Sequence, residues 1–213
     1  MVSELNRLLR LGHFFALDFI VNTPSITSEL AAFESDWVQY NPYKPQVARQ
    51  GLSVTSLDGQ MGGKPDLYSL SELYRREGVR YRESDFRTPT KVYKGCPSLH
   101  PLFEHFGPYL GRTHFLRFNA GGYFPPHRDG VMAEETDTFR ILVPVLNVCH
   151  SNVAFLLDGR RLNLKNGDVY FINTLLAHSV FAFCDNVVLL VCNVILRPES
   201  VDRVYAKVLE APL

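Results

Sequence analysis

Hydrophobic and polar positions change their rhythm near Gly111. Beyond it, short runs rich in Val, Ile, Leu and Phe alternate with turn residues, at 113–119, 139–148, 153–157, 160–164, 168–172, 178–183 and 187–195. Runs of that composition between Gly, Asn and Asp predict strands. Asp158-Gly159 joins two of them as a tight hairpin, and Lys165-Asn166-Gly167 joins the next two, glycine supplying the positive φ that the turn requires. Closely spaced antiparallel strands imply a sandwich or jelly roll. Residues 199–209 read as a closing helix.

The first half is less regular. Residues 1–11 open as a short helix, and 13–21, rich in Phe, Leu and Ile, read as a buried strand. Thr23-Pro24-Ser25 breaks the chain, and Ser25 or Thr27 is placed to cap a helix running to Phe33 or Asp36. Residues 40–46, with prolines at 42 and 45, predict a loop. Residues 50–57 alternate apolar with small polar side chains, the pattern of a half-buried strand with one wettable face. A turn-rich loop follows at 58–65, then a helix capped by Ser69 or Ser71, an irregular polar span at 78–96 and a helix within 98–109. The expected architecture is mainly β with flanking helices. One domain spans 1–213: an N-terminal α/β portion (1–111) packs on a jelly-roll core (112–197), and a C-terminal helix (198–213) closes it.

Composition changes this picture little. The chain of 213 residues is 46% hydrophobic and 21% charged, values that argue against disorder. Lys+Arg and Asp+Glu balance at 22 each, so nothing predicts an electrostatic nucleic-acid binder. Cys96, Cys149, Cys184 and Cys192 form no C-x-x-C motif, and reduced thiols in a cytoplasmic protein are expected. The first residues lack a signal-peptide pattern, and the strongest apolar run, 187–195, is too short to span a bilayer.

The chemistry concentrates in one stretch. Residues 117–129 read Arg-Phe-Asn-Ala-Gly-Gly-Tyr-Phe-Pro-Pro-His-Arg-Asp. A histidine and a carboxylate two apart on an extended chain point the same way, so His127 and Asp129 form a metal-binding pair that needs a third ligand. Two histidines, one carboxylate and open positions make the facial triad of non-haem iron sites. Of the other histidines, His178 fits best, because it opens a later strand of the same sandwich. His150 falls in a polar turn, His100 and His105 on a helix, and His114 beside the metal strand, where packing is the expected role. Arg128, between the ligands, is expected to point away from them.

Residues 113–196 resemble the aspartyl/asparaginyl β-hydroxylase-like branch of the Fe(II)/2-oxoglutarate-dependent dioxygenases, which includes bacterial free-proline hydroxylases. The resemblance runs through Arg117, Gly121-Gly122 and Pro126-His127-Arg128-Asp129, then Phe139-Arg140-Ile141-Leu142-Val143-Pro144-Val145. It continues in Phe155-Leu156-Leu157-Asp158-Gly159, Asn166-Gly167-Asp168-Val169-Tyr170-Phe171 and Leu176-Ala177-His178-Ser179-Val180. It implies a double-stranded β-helix with Fe(II) held by His127, Asp129 and His178. It also implies 2-oxoglutarate and O2 as cosubstrates and hydroxylation of an unactivated C–H bond. The substrate would be a small molecule, such as an amino acid, a peptide side chain or a related carboxylate. One position departs from the family. The arginine usual about ten residues after the distal histidine, where it meets the far carboxylate of 2-oxoglutarate, is absent; the expected position is Val187 or Val188. Arg140 is the expected substitute, and Arg117 matches a second frequent family position. Two alternatives remain: a cupin-like metalloenzyme using the triad without 2-oxoglutarate, and a non-catalytic jelly-roll binding module. For substrate contacts, Arg49, Ser53 and Thr55 on the half-polar strand are the first place to look, with Tyr123 and Phe124 near the metal.

Overall fold

The computed structural model describes residues 2–129 and 137–208. Its strands are β1 (Phe14–Leu17), β2 (Val38–Gln39), β3 (Arg49–Ser53), β4 (Thr55–Ser56), β5 (Thr88–Pro89), β6 (Leu110–Phe118), β7 (Tyr123–His127), β8 (Thr138–Leu146), β9 (Val153–Leu157), β10 (Arg160–Arg161), β11 (Val169–Ile172), β12 (His178–Ala182) and β13 (Val187–Ile195). The helices are α1 (Val2–Leu9), α2 (Thr23–Ala31), α3 (Leu70–Glu77), α4 (Lys91–Gly95), α5 (His100–Phe106) and α6 (Pro198–Tyr205). A seven-stranded sheet, ordered β1-β11-β8-β13-β6-β3-β2, faces a four-stranded sheet, ordered β10-β9-β12-β7, and β4 pairs with β5. This is a double-stranded β-helix, or jelly roll, with β1, β2 and β3 of the N-terminal portion extending its large sheet.

Strand periodicity sorts the core into two layers. The outer face of the large sheet carries Phe115, Ile141, Val143, Phe171 and Leu190 against Ile26 and Leu30 of α2, Phe103 and Phe106 of α5, and Val201 and Val204 of α6. The inner face carries Leu116, Phe118, Leu142, Tyr170, Leu189 and Val191 against Val153, Phe155, Leu157 and Val180 of the small sheet. Among the described residues no helix is long and apolar enough to cross a membrane, and all four cysteines are free.

Three local readings change. Pro24 does not break the chain; it sits in the first turn of α2, where its missing N–H costs nothing, and Asn22 is the cap, accepting from the Ser25 amide at 3.1 Å. The half-polar run at 50–57 is not half-wet. Arg49, Gly51, Leu52, Ser53, Thr55 and Ser56 are all buried, because the small sheet and the loops cover the face that carries the polar side chains. Gly167 has the expected positive φ of 89°, but the turn passes the chain from the small sheet to the large one instead of closing a hairpin. Asp158-Gly159 does close one, with φ of 49° and 76°. The ends predicted at Met1 and Leu209 lie outside the described residues.

Gly122, at the kink before β7, is required by space. A Cβ there would lie 2.3 Å from the Ala48 carbonyl oxygen and 2.9 Å from that of Asn119, backbone atoms fixed by neighbouring strands. Gly122→Ala is expected to destabilise the fold by about 1–3 kcal/mol, read as a lower urea midpoint at unchanged slope.

Candidate metal centre

β7 is an edge strand of the small sheet, so Pro125 and Pro126 interrupt no ladder on its free side. Its other side pairs with β12 in a register that makes His127 and His178 direct partners, with a shift between His178 and Val180. The two imidazoles stand 4.2 Å apart between ring centroids. Asp129 follows β7, its amide donating to the Thr174 carbonyl at 2.9 Å. Its carboxylate turns to the same point, with Oδ1 3.7 Å from His127 Nε2 and Oδ2 3.8 Å from His178 Nε2. One ligand atom from each of the three residues lies within 4.8 Å of the others. Ligand atoms bonded to one ion at about 2.0–2.2 Å sit roughly 3–4 Å apart, so the spacing suits a single divalent metal.

The donor set fits an ion in its protonation as well. His127 Nδ1 lies 2.7 Å from the Pro125 carbonyl and His178 Nδ1 lies 3.1 Å from that of Leu176. A carbonyl accepts only, so each Nδ1 carries a proton, and the neutral tautomer that this selects has its lone pair on Nε2. Burial, only partly opposed by Asp129, lowers His178 to about 4 and keeps it neutral. Burial also raises the Asp129 carboxyl, but Arg140, His178, His127 and a Thr174 hydrogen bond outweigh it and hold the group below its ordinary value. Arg140 Nη1 stands 2.5 Å from Oδ2, off the hydrogen-bonding direction, so that buried oxygen accepts no hydrogen bond. The ion pair keeps the carboxylate charged where it faces the two Nε2 atoms, as a metal donor must be.

Arg140 is held on its other side. Its Nε and Nη2 donate to Asn193 Oδ1 at 3.2 and 3.1 Å. Asn193 Nδ2 donates in turn to the Arg112 carbonyl at 2.8 Å and to Glu83 at 3.2 Å. The buried Arg112 guanidinium bonds Glu83 and the carbonyls of Asp66 and Tyr68. The Asp129 carboxylate therefore rests on a polar chain running across β8, β13 and β6. Glu83 and Arg112 escaped the sequence reading, since Glu83 lies in a span with no periodicity.

Arg117 stands apart from this centre. It lies on the outer face of the large sheet, bonded to Gln50 and Glu34 and stacked 4.4 Å over Trp37. It lines a cleft of about 210 Å³ there with Val188, so its expected cofactor contact is not what the structure arranges. The inner-face valine is Val187, paired with Phe118, which pairs with Arg49 on its other side. Arg128 is exposed, as its alternation predicts. His150 is exposed, while His100 and His105 bond the carbonyls of Tyr93 and Arg203. His114 is buried on the inner face beside Tyr40. Phe124 stacks 6.0 Å from His127, Tyr123 packs on Phe181, and Thr55 bonds the Gly111 carbonyl.

Comparison with known proteins follows the fold. A prolyl-4-hydroxylase from Pseudomonas putida is similar over 92% of this chain and 100% of its own, at 11% identity and a TM-score of 0.50. The likeness is one of fold. A 2OG-Fe(II) oxygenase family oxidoreductase from Burkholderia pseudomallei aligns over 92% of this chain and 90% of its own, at 14% identity and a TM-score of 0.46. KdgF from Halomonas sp. aligns over 43% and 74%, at 17% identity and a TM-score of 0.33. No family model and no curated protein matches the sequence.

Proposed function

We propose that this protein is an Fe(II)/2-oxoglutarate-dependent hydroxylase of an amino acid, a peptide side chain or a related small carboxylate. The observation that carries the proposal is the convergence of two Nδ1-anchored histidines and a buried carboxylate oxygen at one point of a jelly roll. The balanced reaction is R–H + 2-oxoglutarate + O2 giving R–OH + succinate + CO2. Bound iron supplies the oxygen activation that no side chain provides. The chain's own residues do the rest. His127, His178 and Asp129 hold the ion on one side and leave the other open. Arg140 fixes the Asp129 carboxylate and balances its charge before loading. Phe124, Phe155 and Leu157 form an apolar wall that keeps water from the reacting bond. A cytoplasmic, small-molecule enzyme is consistent with this reading.

A second reading, a cupin-like metalloenzyme that does not use 2-oxoglutarate, draws on Val187 and Val188, which leave that part of β13 without a cation. Anaerobic titration separates the two. A weak visible charge-transfer band on adding 2-oxoglutarate to the Fe(II)-loaded protein is the expected result. Calorimetric iron binding with no band favours the second reading. No metal binding overturns both and leaves a non-catalytic jelly-roll binding module.

A further inference from the structure

Two thiols that play no part in the metal centre meet at one end of the sandwich. At that end β8 hands over to β9 through residues 147–152, and β12 hands over to β13 through residues 183–186. Both loops cross from one sheet to the other between pairs already in register. Leu146 faces Val188 in the large sheet, and Val153 faces Ala182 in the small one. The loops therefore run side by side, and hydrogen bonds join them at both ends. The Phe183 amide donates to the Asn152 carbonyl at 2.8 Å. Asn147 Nδ2 donates to the Asp185 and Asn186 carbonyls at 3.3 and 3.2 Å. Cys149 lies between the bonded positions of its loop, and Cys184 between those of the other. A tight turn brings Cys149 back to the start of β9, where its carbonyl accepts from the Asn152 and Val153 amides at 3.1 and 3.0 Å.

The two thiols differ in character. Cys149 is exposed, whereas Cys184 is half-buried and packs on the inner core. The Cys149 sulfur lies 3.1 Å from the Ser151 hydroxyl. That hydroxyl also stands 3.0 Å from Asn152 Oδ1, and its one proton turns to the sulfur once the thiol ionises. The Ser151 hydrogen bond lowers Cys149 below the ordinary thiol value; desolvation opposes it, and the Asn152 and Ser151 amides add to it. Cys184 is raised, by burial first and then by the charges of Cys149 and Asp185, so the two sulfurs stand within electrostatic reach of each other. Cys96 and Cys192 are buried, and burial pushes both up to about 12. The thiolate is the attacking species, so the exposed Cys149 is the nucleophile of the four.

We infer that Cys149 is a modification site for small-molecule disulfides and that Cys184 resolves the adduct, closing a reversible Cys149–Cys184 bond between the two loops. In the first step the Cys149 thiolate attacks one sulfur of a disulfide RSSR. A bond forms between Cys149 and SR, the S–S bond of the reagent breaks, and a thiolate leaves. In the second step Cys184 gives its proton to solvent and attacks the Cys149 sulfur, releasing the remaining thiolate. The sum is protein(SH)2 + RSSR giving protein(S–S) + 2 RSH, so the reagent is reduced as the protein is oxidised. The hydrogen bonds on either side hold the loops at neighbouring-chain distance, which a disulfide needs, since its Cα atoms stand roughly 4.4–6.8 Å apart. A pair with one exposed sulfur is of the labile kind, made and broken by exchange. The inference does not depend on the proposed function.

The test incubates the reduced full chain with glutathione disulfide and follows its intact mass. The wild-type chain is expected to lose two hydrogen atoms and to retain no glutathione, and fragment sequencing of the tryptic digest should join Cys149 to Cys184. Cys184→Ser should stop at the first step and keep one glutathione on Cys149. Cys149→Ser should react at least about tenfold more slowly, since it leaves only thiols that burial has raised. Ser151→Ala keeps the sulfur and removes its hydrogen bond, so the pH midpoint of the reaction should move up. Glutathione retained on Cys149 of the wild-type chain would show that Cys184 does not reach it, and overturns the inference. An unchanged rate in Cys149→Ser overturns it as well. Iodoacetamide labelling of the wild-type chain, mapped by mass, needs no variant. Labelling first at Cys149 supports the assignment, and labelling first at any other cysteine sinks it.

Discussion

His178→Ala is expected to lower affinity for a divalent ion by at least about 100-fold. Removing a residue that only orients a ligand commonly costs 10–100-fold, and His178 is placed as a ligand itself. It is 5% exposed, partnered in register with His127, and fixed through Nδ1 so that Nε2 faces Asp129. Without it the ion keeps two protein donors, and water must fill the third position. Asp129→Ala is expected to match this loss and also to leave Arg140 without its counter-charge. His100→Ala is the control. That imidazole bonds the Tyr93 carbonyl on the helical side and plays no part in the centre, so metal affinity should stay at the wild-type value. Calorimetric titration with Mn(II) or Zn(II) reads all three variants. Wild-type affinity in His178→Ala would remove the triad as the metal site.

The grouping of His127, Asp129 and His178 was legible in the sequence because each sits in a pattern that dictates direction. Alternation put His127 and Asp129 on one side of an extended stretch, and His178 opened a strand at the right place along the chain. The jelly roll was legible for the same reason: turn residues at short intervals leave few ways to pair the runs between them. What the sequence did not carry was the strand register. The pairing of His127 with His178 depends on a shift within the β7–β12 ladder, and no local pattern encodes it. Arg117 shows the same limit from the other side. Its place in a family motif suggested the site, but β6 turns odd and even positions to opposite faces, and Arg117 falls with the helix-facing set beside Phe115. Strand β3 misled differently. Alternation with small polar residues normally marks a face open to water; here the face is enclosed, and its polar side chains are buried. Glu83 and Arg112, which support Asp129 through Asn193 and Arg140, come from an aperiodic span and a strand end, where neither period gives a signal.

The metal-free protein is expected to lose stability as the pH falls from about 6.5 toward 4. Two buried histidines set the direction. Burial lowers His178 to about 4, against the partial opposition of Asp129, and burial with Arg112 and Arg140 nearby holds His114 well below the ordinary histidine value. An unfolded histidine titrates near 6.5, so through this window the unfolded chain binds more protons than the folded one, and stability must rise with pH. The contribution is fully present above the unfolded value and is lost as the pH drops toward the folded one. For His178 alone the shift corresponds to roughly 3 kcal/mol. Asp129 does not offset it there: its folded value is lowered below the ordinary carboxylate value, so its own stabilisation is lost only at more acid pH. Urea midpoints in the presence of chelator, taken from pH 7 to pH 4, measure the loss. His114→Phe, which keeps a ring against Tyr40 and removes the titrating group, should flatten the profile and leave the part due to His178. Saturating metal should steepen it, since an ion that binds neutral Nε2 atoms competes directly with the protons. Equal stability at pH 7 and pH 4 without metal would mean that His178 and His114 are hydrated in solution, and with them the inner face that the proposed metal centre requires to be dry.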